Sequence, residues 1–256
     1  MMSVRGEWEK RSADSGSALS GVLFQGLSEQ ANASLHDWHV WIVLNVFLPQ
    51  LAKGATVLDL GCGYGRLAKV IAVERPDIHL CGQDFALPYC RSFAECCGPA
   101  VLADSRSPPF RADSFDGILA VTSLMYVPRA QVHATLRVLR TLLRSGGAML
   151  SLDPGFELQR AIFAVRLGRG IPQTGGQGFG SNEYLECFTQ SGFGIKQMGG
   201  NPHQSVALII PGVGRTRKPW VSKLLSNLTT RDSVAGGYSA LALHRWVLAL
   251  RTESGR

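Results

Sequence analysis

A chain of 256 residues with 45% hydrophobic and 18% charged residues can bury a sizeable core, which excludes global disorder and leaves room for one large domain or a domain with an appendage. No apolar run reaches membrane-spanning length, and "MMSVRGEWEK" leads into no apolar stretch of a secretion signal, so the cytoplasm is the expected compartment. The net charge is +7, yet eight lysines and arginines against two acids lie between Val213 and Arg256, so the basicity belongs to the tail. Six cysteines without C-x-x-C spacing read as packed, reduced thiols, and no metal site is expected.

Residues 1–27 begin polar and Ser/Gly-rich and are expected to be flexible. Residues 28–51 have helical spacing, with Leu35, Trp38, Trp41, Leu44 and Phe47 near one face. Strands and helices then alternate. "ATVLDL" (55–60), "HLCGQDF" (79–85), "AVLADS" (100–105), "FDGILAVTSL" (115–124) and "AMLSLD" (148–153) read as strands. Between them lie helices at 65–74, 87–97 and 129–144, the last carrying the stripe Val132, Leu136, Leu139 and Leu143. Such an alternation implies right-handed crossovers and a doubly wound α/β sheet of Rossmann-like type, mostly parallel, with ligands at the carboxyl ends of its strands. Residues 154–180 break the rhythm and read as an insertion or lid, with Arg160, Arg166 and Arg169 on it. A helix at 182–193 follows, then "GIKQMG" and "SVALIIPG" as a closing pair of strands, the last strand antiparallel, so that the domain spans 28–212. In the tail, 213–256, helical spacing over 220–228 and again over 238–250 predicts a basic amphipathic helical extension.

The stretch "VLDLGCGYGR" (57–66) places Gly61, Gly63 and Gly65 just after a buried strand, where glycine costs packing and conformational entropy. A dinucleotide fingerprint, G-x-G-x-x-G, would need a glycine where Arg66 stands. The pattern present, D-x-G-x-G-x-G from Asp59, resembles the first motif of class I S-adenosylmethionine-dependent methyltransferases. Four further segments follow in that family's order: "CGQDF", "ADSRSPPFRADSFDGI", "FDGILAVTSLMYVP" and "LRSGGAMLSLDP". The resemblance implies S-adenosylmethionine as cofactor and a helical cap at 28–51. It places the glycine turn with Asp59, Gly61, Cys62, Gly63 and Gly65 at the methionine moiety, Asp84 and Phe85 at the ribose, Asp104 and Ser105 at the adenine, and Val121 at the methionine end. One carboxylate can accept from both ribose hydroxyls, which suits Asp84.

Many relatives carry a histidine or acid after the fourth strand; here Met125 and Tyr126 stand there. The candidates for catalysis are therefore Asp153, expected at the rim after the fifth strand, Tyr126 as an orienting group, and His36, which shares a helix face with His39. An amide-methylating signature is missing after strand four. The expected activity is methylation of a small molecule, on oxygen, such as a glycan precursor or secondary metabolite. An RNA or nucleobase methyltransferase and a non-catalytic cofactor-binding module are the alternatives. Expected partners are a small-molecule acceptor, an anionic membrane touched peripherally through 213–256, and a second subunit if the tail helices pack between copies. Nucleic acid is disfavoured because no binding module is recognisable.

Overall fold

The computed structural model describes residues 4–15, 18–24, 27–167, 176–210, 212–216 and 218–252. The chain opens with helices α1 (Val4–Ser15), α2 (Leu19–Val22) and α3 (Glu29–Ile42), the last continued by a π-helical turn, Val43–Phe47, and a 3-10 turn, Leu48–Gln50. Then come β1 (Thr56–Leu60), α4 (Ala68–Glu74), β2 (His79–Asp84), α5 (Leu87–Ala94), β3 (Ala100–Leu102), β4 (Phe115–Val121), α6 (Arg129–Leu142) and β5 (Leu143–Pro154). The second half holds α7 (Phe156–Leu167), α8 (Ser181–Gln190), β6 (Phe193–Gly200), α9 (Pro202–Ile209), α10 (Pro219–Ala235) and β7 (His244–Arg251). One seven-stranded sheet has the order β3-β2-β1-β4-β5-β7-β6; β7 is antiparallel to both of its neighbours, and the pairs from β3 to β5 are parallel.

Period-two alternation splits the core into two layers. Leu119 and Val121 of β4, Leu150 and Leu152 of β5, and Trp246 and Leu248 of β7 face Trp38, Ile42 and Phe47 of the α3 segment. Ile118, Ala120, Met149, Val247 and Ala249 face the α6 stripe and Phe188 of α8. The inner strands β1, β4, β5 and β7 are mostly apolar because both of their faces are covered. The order reverses between β1 and β4, and there the carboxyl ends open a cleft.

Three expectations are corrected. Residues 1–27 are not uniformly loose: α1 and α2 form, and Arg11 Nη2 donates to the carbonyls of Ser20 (3.0 Å) and Leu23 (2.8 Å), tying the two helices together. The polar composition of α1 hides this, because its anchoring rests on a few side chains. Of "SVALIIPG", residues 205–209 are no strand but the body of α9, and Pro211 lies outside the described residues. Pro202 starts that helix, and the buried Asp232 of α10 accepts from the backbone N–H of His203 (3.1 Å) and Gln204 (2.8 Å), so the N-terminus is capped from another element. The second tail helix, 238–250, is instead loop and β7, inserted between β5 and β6, with His244 to Ala249 all buried. A strand covered on both faces is a continuous apolar run, which spacing alone does not separate from a helix. The predicted close of the fold at 212 therefore leaves out β7, a strand paired on both edges. Of the segment read as an insertion, 168–175 lies outside the described residues, and so do the side chains of Arg166 and Arg169; Arg160 is exposed on α7.

Leu248→Ala is expected to lower the unfolding free energy by about 2–5 kcal/mol in chemical denaturation. Trp220→Ala, in the same basic tail but 58% exposed, is expected to change it by no more than about 0.5 kcal/mol.

Candidate cofactor and acceptor site

The glycine turn leaves β1 in left-handed steps, with φ of +72° at Gly61 and +53° at Gly63. A β-carbon on Gly61 would meet Ser123 Cβ at 2.7 Å, so the turn lies directly against the end of β4. The amides of Gly61 and Cys62 donate to the Gln83 carbonyl (2.7 and 3.0 Å), which locks the turn to β2. Asp84 closes β2 beside it. One of its oxygens accepts from the Gly63 amide (3.0 Å), the other from the Ala86 amide (2.9 Å), and the Phe85 amide also lies against the carboxylate. Burial raises this carboxyl to about 6, while the backbone donors restrain the rise.

A cleft of about 380 Å³ opens here. Of the residues expected around a cofactor, Gly61, Gly63, Asp84, Phe85, Asp104, Ser105 and Val121 line it, together with Thr122 and Tyr126. Thr122 has φ of +54°, a conformation non-glycine residues seldom adopt, held by its amide bonding the Leu152 carbonyl at 2.7 Å. Asp104 is exposed and paired with Arg106 at 2.5 Å, which holds its carboxyl below the usual range.

Asp59, Cys62 and Gly65 stand back from the cleft. Asp59 is buried behind the turn and raised to about 7, chiefly by burial, against the pull of Arg66. Cys62 packs in the core, and Gly65 backs onto the end of α5, where a β-carbon would meet Cys97 Sγ at 2.7 Å.

Two catalytic candidates change role. Asp153 is not at a rim: it is 1% exposed and accepts from the Met125 amide (3.0 Å), Ser151 Oγ (3.1 Å) and Tyr184 Oη (3.2 Å). It fixes the turn that carries Tyr126, and burial raises it to about 6. His36 is held by Arg66, whose Nη1 donates to its Nδ1 at 2.7 Å; burial and that cation lower it to about 4, too weak a base to take a proton from a hydroxyl. Sequence reasoning missed Arg5, Trp8, Val22, Tyr89, Arg106, Val127 and Pro128, which also line the cleft. For Trp8, an aromatic residue in an otherwise polar segment was the available signal. Tyr89 is 3% exposed and its hydroxyl lacks a partner among the described residues, a costly state in a lone core group and one that a polar ligand relieves. A positive-φ glycine turn, a carboxylate beside it and an orphaned phenol fit a ribose-bearing cofactor with an amino-acid tail.

Residues 57–147 match a family model described as a methyltransferase domain. The chain is 29% identical over 111 residues to the tRNA (carboxymethyluridine(34)-5-O)-methyltransferase of Schizosaccharomyces pombe, a match covering 43% of this chain and 46% of that one. It is 33% identical over 138 residues to the 2-phytyl-1,4-naphtoquinone methyltransferase of Thermosynechococcus vestitus, covering 51% and 59%. The chain thus spans about half the length of these curated relatives. A methyltransferase solved with the Trm112 methyltransferase activator of Haloferax volcanii superimposes with a TM-score of 0.64 at 17% identity, over 98% of this chain and 100% of that one. Geranyl diphosphate C-methyltransferase of Streptomyces coelicolor, solved with S-adenosyl-L-homocysteine, gives 0.61 at 13%, over 92% and 87%. At these identities the two structures bear on the fold.

Because Asp84 must be ionised to accept two hydroxyls, affinity for S-adenosylhomocysteine is expected to fall as pH drops through about 6, becoming about tenfold weaker at pH 5 than at pH 7. Calorimetry across that range checks it. Asp84→Asn should bind poorly at every pH and lose most of the slope.

Proposed function

We propose, from the class I S-adenosylmethionine-dependent methyltransferase domain that this chain carries, that it transfers a methyl group to a hydroxyl of a small molecule. The observation that carries the reading is the cleft itself: glycine turn, Asp84 and the strained Thr122 converge on one space at the switch point of the sheet. S-adenosylmethionine held there by the Gly61–Gly63 turn and Asp84, with Asp104 and Ser105 farther along, would supply an electrophilic methyl group on a sulfonium.

The chain's own contribution is alignment, for which proximity and orientation offer about 7–11 kcal/mol of barrier lowering. Asp153 holds the Met125 amide and so sets the turn that presents Tyr126 to the cleft. Tyr126 orients the acceptor. No histidine or carboxylate other than Asp84 and Asp104 lines the cleft among the described residues, so the acceptor oxygen sheds its proton to solvent or arrives ionised.

A second reading, transfer to tRNA, is favoured by the names of the relatives: the S. pombe protein and its Xenopus tropicalis counterpart are both tRNA methyltransferases. An accessory protein of the activator kind seen with the Haloferax structure belongs to that reading. The tail suggests a separate contact. Of its two predicted helices α10 remains, with Trp220, Lys218, Lys223 and Arg231 exposed and Asp232 buried against His203, and this face suits an anionic membrane surface. Among the described residues no helix is long and apolar enough to cross a membrane.

S-adenosylhomocysteine at 100 times its dissociation constant should stabilise the protein by about 2.7 kcal/mol, a shift of several degrees at about 2–4 °C per kcal/mol. NAD should give none. Transfer of labelled methyl from S-adenosylmethionine to low-molecular-weight hydroxyl compounds supports the first reading. Transfer to bulk tRNA with a steep salt dependence would replace it with the second. The protein should co-sediment with phosphatidylglycerol vesicles at low salt, and Trp220→Ala with Lys223→Glu should abolish this; absence of sedimentation by the native chain rejects the membrane contact.

A further inference from the structure

The geometry points to a small, planar, apolar ring as the acceptor, with Trp8 of α1 as its principal contact; this rests on the methyl-transfer reading above. Trp8 is half-buried and spans the mouth of the cleft. Its ring lies 5.3 Å from that of Tyr126, nearly perpendicular at 89°, and 6.2 Å from that of Tyr89, tilted at 59°. Tyr89 is on α5, beside Asp84; Tyr126 is on the turn after β4. One indole therefore bridges the two banks and roofs the cleft. Its orientation is held from behind: the Arg11 guanidinium sits 4.7 Å from the ring centroid while donating to Ser20 and Leu23 carbonyls.

The perpendicular Trp8–Tyr126 corner offers a flat ring one face to stack on and one edge to meet, the two arrangements aromatic pairs prefer. Around that corner stand Val22, Val127 and Pro128, which offer no charge. The two arginines that reach the cleft are both engaged, Arg5 with Glu9 at 2.9 Å and Arg106 with Asp104 at 2.5 Å. A polyphosphate or nucleic-acid strand would need a run of cations along its path, and this lining supplies two arginines, each beside a carboxylate in an exposed pair.

The test is calorimetric titration of 1-naphthol into protein saturated with S-adenosylhomocysteine. Binding is expected, at least about fivefold tighter than that of the non-planar 1-decalol. Trp8→Ala should weaken it at least about tenfold and Trp8→Phe by no more than about threefold. Both variants should bind S-adenosylhomocysteine within about twofold of the native chain, which also reports that they are folded. Tyr126→Leu gives an independent second variant with the same expectation as Trp8→Ala. Equal binding of 1-decalol, an unchanged affinity in Trp8→Ala and Tyr126→Leu, or displacement of 1-naphthol by bulk tRNA would overturn the proposal. Failure of the native chain to bind S-adenosylhomocysteine at all would instead remove the methyl-transfer reading on which it stands.

Discussion

The architecture of the site hangs on one half-buried arginine. Arg66, the residue after the third glycine, is enclosed beneath α3 and donates to His36 Nδ1 (2.7 Å) and His39 Nδ1 (3.1 Å). A cation withdrawn from water is costly unless its donors are satisfied. Arginine can only donate, so both imidazoles accept at Nδ1. His39 must then carry its proton on Nε2, which donates to His244 Nδ1 at 3.0 Å, and His244 in turn carries its own on Nε2. One chain of donors thus joins the glycine turn, the helix lying over it and the first residue of β7, three segments far apart in sequence. Asp59 and Arg66 feel each other's charge, which restrains the rise that burial imposes on the Asp59 carboxyl.

That enclosure sets opposing charge terms. Asp59, Asp84 and Asp153 are raised above the ordinary carboxylate range by burial, to about 7, 6 and 6. Each therefore contributes stability that is present below its unfolded value and lost as pH rises through the raised one. His36 and His244 are lowered by burial and by Arg66, to about 4 and about 3, and contribute stability that is present at neutral pH and lost as pH falls toward those values. Across the mildly acidic range the two sets offset each other. Each carboxylate is held out of water by its own partners: Asp59 feels Arg66, Asp84 accepts from backbone amides, and Asp153 accepts from Met125, Ser151 and Tyr184.

Much of the wall of the cleft that the strand ends form was legible in the residues. The D-x-G-x-G-x-G turn, Asp84 and Ser105 can be read in one dimension because the chemistry sits on strand ends, where a short motif holds both the backbone shape and the side chain. The wall opposite was not. Trp8 reaches the cleft only because α1 packs across α5, and α1 is too polar to announce a packed helix. Asp153 ends its strand as foreseen, but whether a strand-end acid faces solvent or a neighbouring helix depends on Tyr184, thirty-one positions away, whose hydroxyl meets it.

The sequence by itself determined the alternation of strands and helices, the place of the glycine turn and the identity of the carboxylate beside it, because hydrophobic period and turn chemistry are local. Only the tertiary structure decided that "HRWVLALR" is a strand and "SVALII" a helix. Both are short apolar runs whose conformation is set by what lies alongside: β5 and β6 offer backbone partners on both edges of β7, while Asp232 offers α9 a cap. The basic tail divides for the same reason. Arg245 is drawn into the interior, where it bonds Glu157 and the Phe179 carbonyl, and Lys218, just before α10, and Lys223, on it, stay in water, since burial depends on neighbours that composition cannot name.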